Sequence, residues 1–250
     1  MFFLPACVST FTTTQSHYQP NYPADLEYRI NKEKPNDRQD HFAVLLGANT
    51  ELRHKGSMSL AYQTLIESGY KRKNIYILDP DGQTPIYPVS DTTSRVAIKL
   101  LFNHLKNIVE PQDTILIYVS GHGQLINQKQ NIILNPGETM EAKEFILMVS
   151  QLYPLVGIMI ADQCYWSVDY SPQDCAWASI SVSTPNTTSF GTGFPRAFWW
   201  SIRRGNNIND AFEMAKKNDY GTKTKANNPK IFFGNCLDKN RLNILGGNNQ

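Results

Sequence analysis

Thr114-Ile115-Leu116-Ile117-Tyr118-Val119-Ser120-Gly121-His122-Gly123 is the stretch whose reading decides the fold. Residues 114 to 119 hold no charge and no proline, the pattern of a strand buried on both faces. A second run repeats the arrangement: Leu155-Val156-Gly157-Ile158-Met159-Ile160-Ala161-Asp162-Gln163-Cys164. Each run delivers one reactive side chain, His122 or Cys164, at its carboxyl end. In open α/β sheets that end is where ligands and reacting groups collect. A cysteine and a histidine presented together suggest a thiolate nucleophile with its proton carrier.

Outward from these runs the chain alternates strand and helix signals. Further strands are expected at 41–47, 74–78, 177–182 and 229–233, with a short extended piece at 131–134. Helices are expected at 56–69, 91–109, 138–152, 194–204 and 208–218. The first should bury Met58, Ala61, Leu65 and Ile66 and stop at Gly69. The second should bury Val96, Leu100, Leu101, Leu105 and Ile108. Such alternation implies an α/β fold of three layers, a mostly parallel central sheet of about six strands with helices on both faces. Residues 1–40, rich in Thr, Asn, Pro and charge, read as a poorly ordered leader or tether. The domain proper is expected over 41–240, with 241–250 as a tail.

A hydrophobic content of 41% and 18% charge fit a water-soluble globular chain that buries its own core. The net charge of +2 and the scattered basic pairs give no nucleic-acid signature. No stretch is long and apolar enough to predict a transmembrane span. Leu4-Pro5-Ala6-Cys7 resembles a truncated lipoprotein signal. A lipid anchor follows from it only if the true start lies upstream of Cys7, because the apolar stretch is too short and lacks a basic flank. Export or lipid anchoring and a cytoplasmic location both stay open, as does the oligomeric state.

The chemistry needs few parts. His122 and Cys164 lie 42 positions apart (164 less 122), enough for one crossover helix between neighbouring parallel strands. Gly123 has no Cβ, so its N–H can approach a substrate carbonyl. With the N–H of Cys164 it would form an oxyanion hole. His17, His41 and His104 lack ligand spacing, so no metal and no cofactor is expected. Of the remaining cysteines, Cys175 and Cys236 would pair in an oxidising compartment, with buried thiols as the default.

Ser-Gly-His-Gly ending one strand and Asp-Gln-Cys ending the next resemble the caspase-fold cysteine peptidases. Arg53-His54 with Leu60-Ala61-Tyr62, and the late Asn228-Pro229-Lys230-Ile231-Phe232-Phe233-Gly234, are similar to the legumain and GPI-transamidase branch. Two departures stand out. Glu51 replaces the Asn that precedes Arg-His in legumains, and Tyr165-Trp166 replace the small residues after the nucleophile, either narrowing the site or walling it.

The resemblance implies a cysteine endopeptidase acting on a protein or peptide, with His122, Cys164 and Gly123 catalytic. Asp162, two before the nucleophile and on the same strand face, would line the pocket for the side chain preceding the scissile bond. Arg53 would supply its cation, and the pair suits Asn, then Asp, then basic side chains. His54 is read as structural. Of Phe198-Trp199-Trp200, two should pack inward and one border the cleft. Two alternatives remain open: a transamidase or ligase sharing the acyl-enzyme chemistry, and a catalytically weak interaction module.

Overall fold

A computed structural model of the chain describes residue 26 and residues 38–48, 50–134, 137–170, 172, 174–183, 193–223 and 227–244. In chain order the elements are β1 (His41–Ala48), α1 (Leu52–Glu67), β2 (Ile75–Asp79), β3 (Asp91–Thr92), α2 (Arg95–Ile108), β4 (Thr114–Gly121), β5 (Gly123–Ile126), β6 (Lys129–Ile133), β7 (Thr139–Glu141), α3 (Ala142–Val149), β8 (Val156–Asp162), β9 (Trp177–Ser181), α4 (Gly193–Arg203), α5 (Ile208–Asn218), α6 (Tyr220–Lys223) and β10 (Lys230–Phe233).

Seven strands form one sheet in the order β10-β9-β8-β4-β1-β2-β3, parallel throughout except where β10 runs against β9. The apolar runs take its middle. Strands β4 and β8 pair directly, and every residue of both is buried. Period-two alternation then divides the core. Ala43, Leu45, Leu116, Tyr118, Ile158 and Ile160 face α1, α4 and α5, where Tyr118 meets Trp199 edge-on at 5.3 Å. Val44, Leu46, Ile117, Val119 and Met159 face α2 and α3. The three-layer α/β architecture is therefore present, with helices on both faces.

Boundaries follow local chemistry. Helix α1 ends where Gly69, at φ +94°, reverses the chain: its N–H donates to the Ile66 carbonyl and that of Tyr70 to Leu65. Two residues expected to open a helix at 91 instead form β3, the seventh strand. The helix begins at Arg95, after Ser94 accepts the Ala97 N–H at 3.1 Å. Its buried stripe differs from the expected one. Val96 and Leu100 are 67% and 41% exposed, while Ala97, Ile98 and Phe102 are buried. Phe102 packs edge-on against Phe145 at 5.4 Å, within the core that Ala97, Ile98 and Leu101 also join.

The helix expected at 138–152 is α3 alone, because residues 139–141 pair with β6. β5, β6 and β7 make a separate antiparallel sheet. Its first turn, Asn127-Gln128, holds both residues at positive φ (50° and 65°), the geometry of a two-residue hairpin.

Cys175 and Cys236 form a disulfide, correcting the expectation of buried thiols. The antiparallel pairing of β10 with β9 brings their Cα atoms within 4.9 Å, inside disulfide reach. Described residues on both sides of the strand-and-helix core pack into it. Leu26 is buried, and so are Leu242 and Ile244 within the expected tail, with the Tyr70 hydroxyl donating to the Ile244 carbonyl. The Leu4–Cys7 box, most of the expected leader and residues 245–250 lie outside the described residues. Among the described residues, no helix is long and apolar enough to cross a membrane.

The disulfide closes a loop across 61 positions, which chain entropy values at about 4 kcal/mol. The double variant Cys175→Ser/Cys236→Ser should therefore melt well below the parent in calorimetry, and a reductant should lower the parent's midpoint but not the variant's.

Candidate functional site

Parallel pairing sets Ser120 opposite Asp162. His122 and Cys164, each two residues further along, therefore leave the sheet side by side. The two segments touch: a Cβ on Gly123 would stand 2.1 Å from the carbonyl oxygen of Cys164, so only glycine fits. After Cys164 the chain turns sharply at Tyr165, whose φ is +59°. Such left-handed backbone is uncommon for a bulky residue and tends to gather at functional sites. Trp166 then drops into the core. It is 2% exposed, donates its N–H to Ser183 Oγ at 3.0 Å and lies 6.3 Å from the Phe145 ring. Trp166 walls no cleft, which removes it from the expected aromatic rim.

The first turn of α1 lies over the histidine. Glu51 is the N-cap residue, yet its carboxylate makes no capping bond. It accepts from His122 Nε2 at 2.9 Å and from Arg53 Nε at 2.6 Å. The His122 hydrogen bond first, and Arg53 second, hold the Glu51 carboxyl down to about 2. The group is thus a carboxylate across the neutral range. An anionic acceptor requires that Nε2 of His122 carry a proton, so in the neutral ring the lone pair is on Nδ1.

Behind this pair runs a buried chain of hydrogen bonds. Ser120 Oγ donates to Asp162 Oδ2 at 3.1 Å, and Tyr118 OH donates to the same oxygen at 3.3 Å. With its one proton committed, Ser120 Oγ can only accept from His54 Nδ1, 3.0 Å away. Burial pushes the His54 imidazole down to about 4, helped by the nearby charges of Arg53 and His122. Burial likewise pushes the Asp162 carboxyl up to about 6, against its two donors and Arg53.

The residues singled out from the sequence thus share one neighbourhood, in different postures. His122 and Cys164 are partly exposed at the sheet edge. Asp162 is only 1% exposed, and it lies beneath the surface on the sheet face covered by α1. Arg53 lines a groove of about 630 Å³ between α1 and α4, along with Leu52, Ser57, Ile86, Arg196 and Trp200. Phe198 and Trp199 are fully buried while Trp200 is 46% exposed on that groove, as their consecutive helical positions required.

Glu51, His54, Ser120 and Arg196 were not assigned to the site by sequence reasoning. Ser120 carried a signal, being two residues before His122 on the same strand face, and Glu51 stood out as the departure from the legumain Asn. Glu51, His54 and His122 also each place a ligand atom within 4.8 Å of the others, the one such group of three among the described residues.

Fold and site together define an α/β protein that ends two central parallel strands on a histidine and a cysteine. No protein-family model matches the sequence, and no curated protein matches it. Among solved structures the chain is similar to the Drosophila initiator caspase Dronc, over 83% of this chain and 84% of that one, at 12% identity and a TM-score of 0.49. Identity this low transfers no residue roles, so those of Glu51, His122 and Cys164 rest on their own geometry.

Asp162 offers a stability test. Its folded-state value of about 6 lies above the ordinary 3.8, so the native state disfavours the ionised form. The cost is absent below the ordinary value, grows as pH rises through the interval, and is complete above the folded value, on the order of 3 kcal/mol. Asp162→Asn keeps an acceptor for Ser120 and Tyr118 without the charge. Its melting midpoint should exceed the parent's at pH values above that interval, by an amount that shrinks to nothing in acid. An unchanged offset across the titration would contradict this account.

Proposed function

We propose that the chain is a cysteine-type peptidase of caspase-like fold. The observation carrying this reading is the adjacent exit of His122 and Cys164 from paired strands, with Glu51 oriented on His122. In this scheme Nδ1 of His122 takes the Cys164 thiol proton, and the sulfur adds to the carbonyl carbon of the scissile bond. The oxyanion lies against the N–H groups of Gly123 and Cys164. Collapse breaks the C–N bond, and His122 returns the proton to the leaving amine. Water, deprotonated by His122, then hydrolyses the thioester and restores the thiol. An amine in place of that water gives the transamidase outcome.

The position of Gly123 supports its part. Ile133 N–H donates to the His122 carbonyl, so the ladder alternation places Gly123 opposite Ile132 in a non-hydrogen-bonded pair. Its N–H is therefore not spent on β6. Glu51 serves as the positioning residue for His122, where legumains carry Asn. The Arg53-His54 stretch and the Asn228–Gly234 segment support the legumain side of the caspase-like group.

For the residue preceding the scissile bond, the reading is Asn or Asp. Arg53 and Arg196 are the charged residues lining the groove, which favours an acidic side chain within that pair. Asp162 acts from below as the counter-charge to Arg53.

Peptidyl electrophiles carrying Asn, Asp or Arg test the scheme. The Asp and Asn probes should label the parent and not Cys164→Ala. His122→Ala should slow labelling by about 10²–10⁴-fold, and Arg53→Ala should weaken the Asp probe more than the Asn probe. No labelling by any probe of the folded parent would overturn the peptidase reading in favour of an interaction module.

A further inference from the structure

His54 is the least explained residue of the site. It is 4% exposed, and its Nε2 has no hydrogen-bond partner among the described residues. A buried polar atom left this way keeps an uncompensated desolvation penalty unless something occupies it. The hydrogen-bond chain also fixes its chemistry. Asp162 holds the Ser120 proton, Ser120 accepts the His54 Nδ1 proton, and Nε2 is left as a bare lone pair.

A second histidine and a carboxylate lie close to the same ring. The His54 and His122 rings meet edge-on, with centroids 5.5 Å apart. One ligand atom from each of Glu51, His54 and His122 falls within 4.8 Å of the other two. Ligands on a tetrahedral zinc ion stand roughly 3.4 Å apart, so small rotations of the two exposed side chains would close the site. Ligating histidines commonly donate their other ring N–H to a hydrogen-bonded partner that orients them. The Ser120–Asp162 pair does this for His54. Two imidazoles and one carboxylate suit a borderline-soft ion, whereas magnesium and calcium prefer oxygen ligands.

We infer that Glu51, His54 and His122 form a binding site for a zinc-type divalent ion, and that occupancy withdraws His122 from proton transfer. The second half rests on the peptidase reading; the first does not. The withdrawal follows from the imidazole. If Nδ1 binds the ion, its lone pair is used. If Nε2 binds, the neutral ring must carry its proton on Nδ1 and can accept none from Cys164. Glu51 is likewise drawn from His122 to the ion. The side chains of His122 and Glu51 are 34% and 47% exposed, so an ion can reach the group from solvent. Expectations from sequence missed this group because its members lie 66 to 71 positions from their contacts.

Cobalt(II) titration of the untagged, chelator-treated full chain tests the site directly, through the visible absorption of a low-coordinate cobalt centre. Saturation at one equivalent, with displacement by zinc, is expected. His54→Gln and Glu51→Gln should each weaken cobalt affinity at least about 10-fold, and Ser120→Ala should do so through loss of the orienting bond. If His54→Gln does not fold, the partly exposed Glu51→Gln decides. No saturable signal, or one unchanged in Glu51→Gln, would overturn the site. Probe labelling of Cys164 in metal-free protein reports the peptidase reading separately. Zinc should slow that labelling reversibly, with recovery on chelation; labelling indifferent to bound zinc would overturn the withdrawal of His122.

Discussion

The in-register parallel pairing of β4 with β8 is the constraint on which the site depends. Ser120 lies opposite Asp162, and three consequences follow from that one alignment. The two residues bond each other on the face beneath α1. His122 and Cys164 emerge at one level of the sheet edge. Gly123 comes against the Cys164 carbonyl at a distance that excludes any side chain. Slipping the register by one residue would send Asp162 to the opposite face and separate all of these parts.

Electrostatics divides the site into an outer and an inner layer. Glu51 and Arg53 form an exposed pair that fixes the tautomer of His122, at a place where solvent screens their charges. Asp162 is buried, and its carboxyl is held up by burial while two hydroxyl donors and Arg53 act the other way. His54 is tied to the inner layer through Ser120, and its ring stands edge-on to His122 of the outer one. That division explains why the expected pocket pair, Asp162 and Arg53, is found as a buried anion below and a guanidinium in the groove wall above.

What the sequence disclosed depended on how each part is encoded. Buried parallel strands must be apolar on both faces, so 114–119 and 155–161 were legible as runs, and His122 and Cys164 as their termini. The stop at Gly69 and the inward turn of Phe198 and Trp199 follow from local backbone and helical geometry, and both were legible. β5 and β7 were not, and β6 only as the extended piece at 131–134, because Gln124, Lys129 and Asn131 carry no apolar alternation and the pairing rests on a turn at Asn127-Gln128. Glu51 read as a departure and His54 as structural, because their partners lie far away in sequence and no periodic pattern reports such contacts.

On the peptidase reading, the disulfide and the nucleophilic thiol of this chain require spatial separation. A disulfide persists where the surroundings are oxidising, and those surroundings also threaten a reactive thiol. Cys175 precedes the start of β9, which lies beside the start of β8 at Gly157↔Trp177. Cys164 follows the far end of β8. Seven strand positions at about 3.3 Å each put the disulfide and Cys164 about 20 Å apart, at opposite edges of the sheet. Thiol–disulfide exchange needs sulfur-to-sulfur attack, so Cys164 cannot unpick the bridge of its own molecule. The sheet that presents Cys164 at one edge thereby protects the covalent closure at the other.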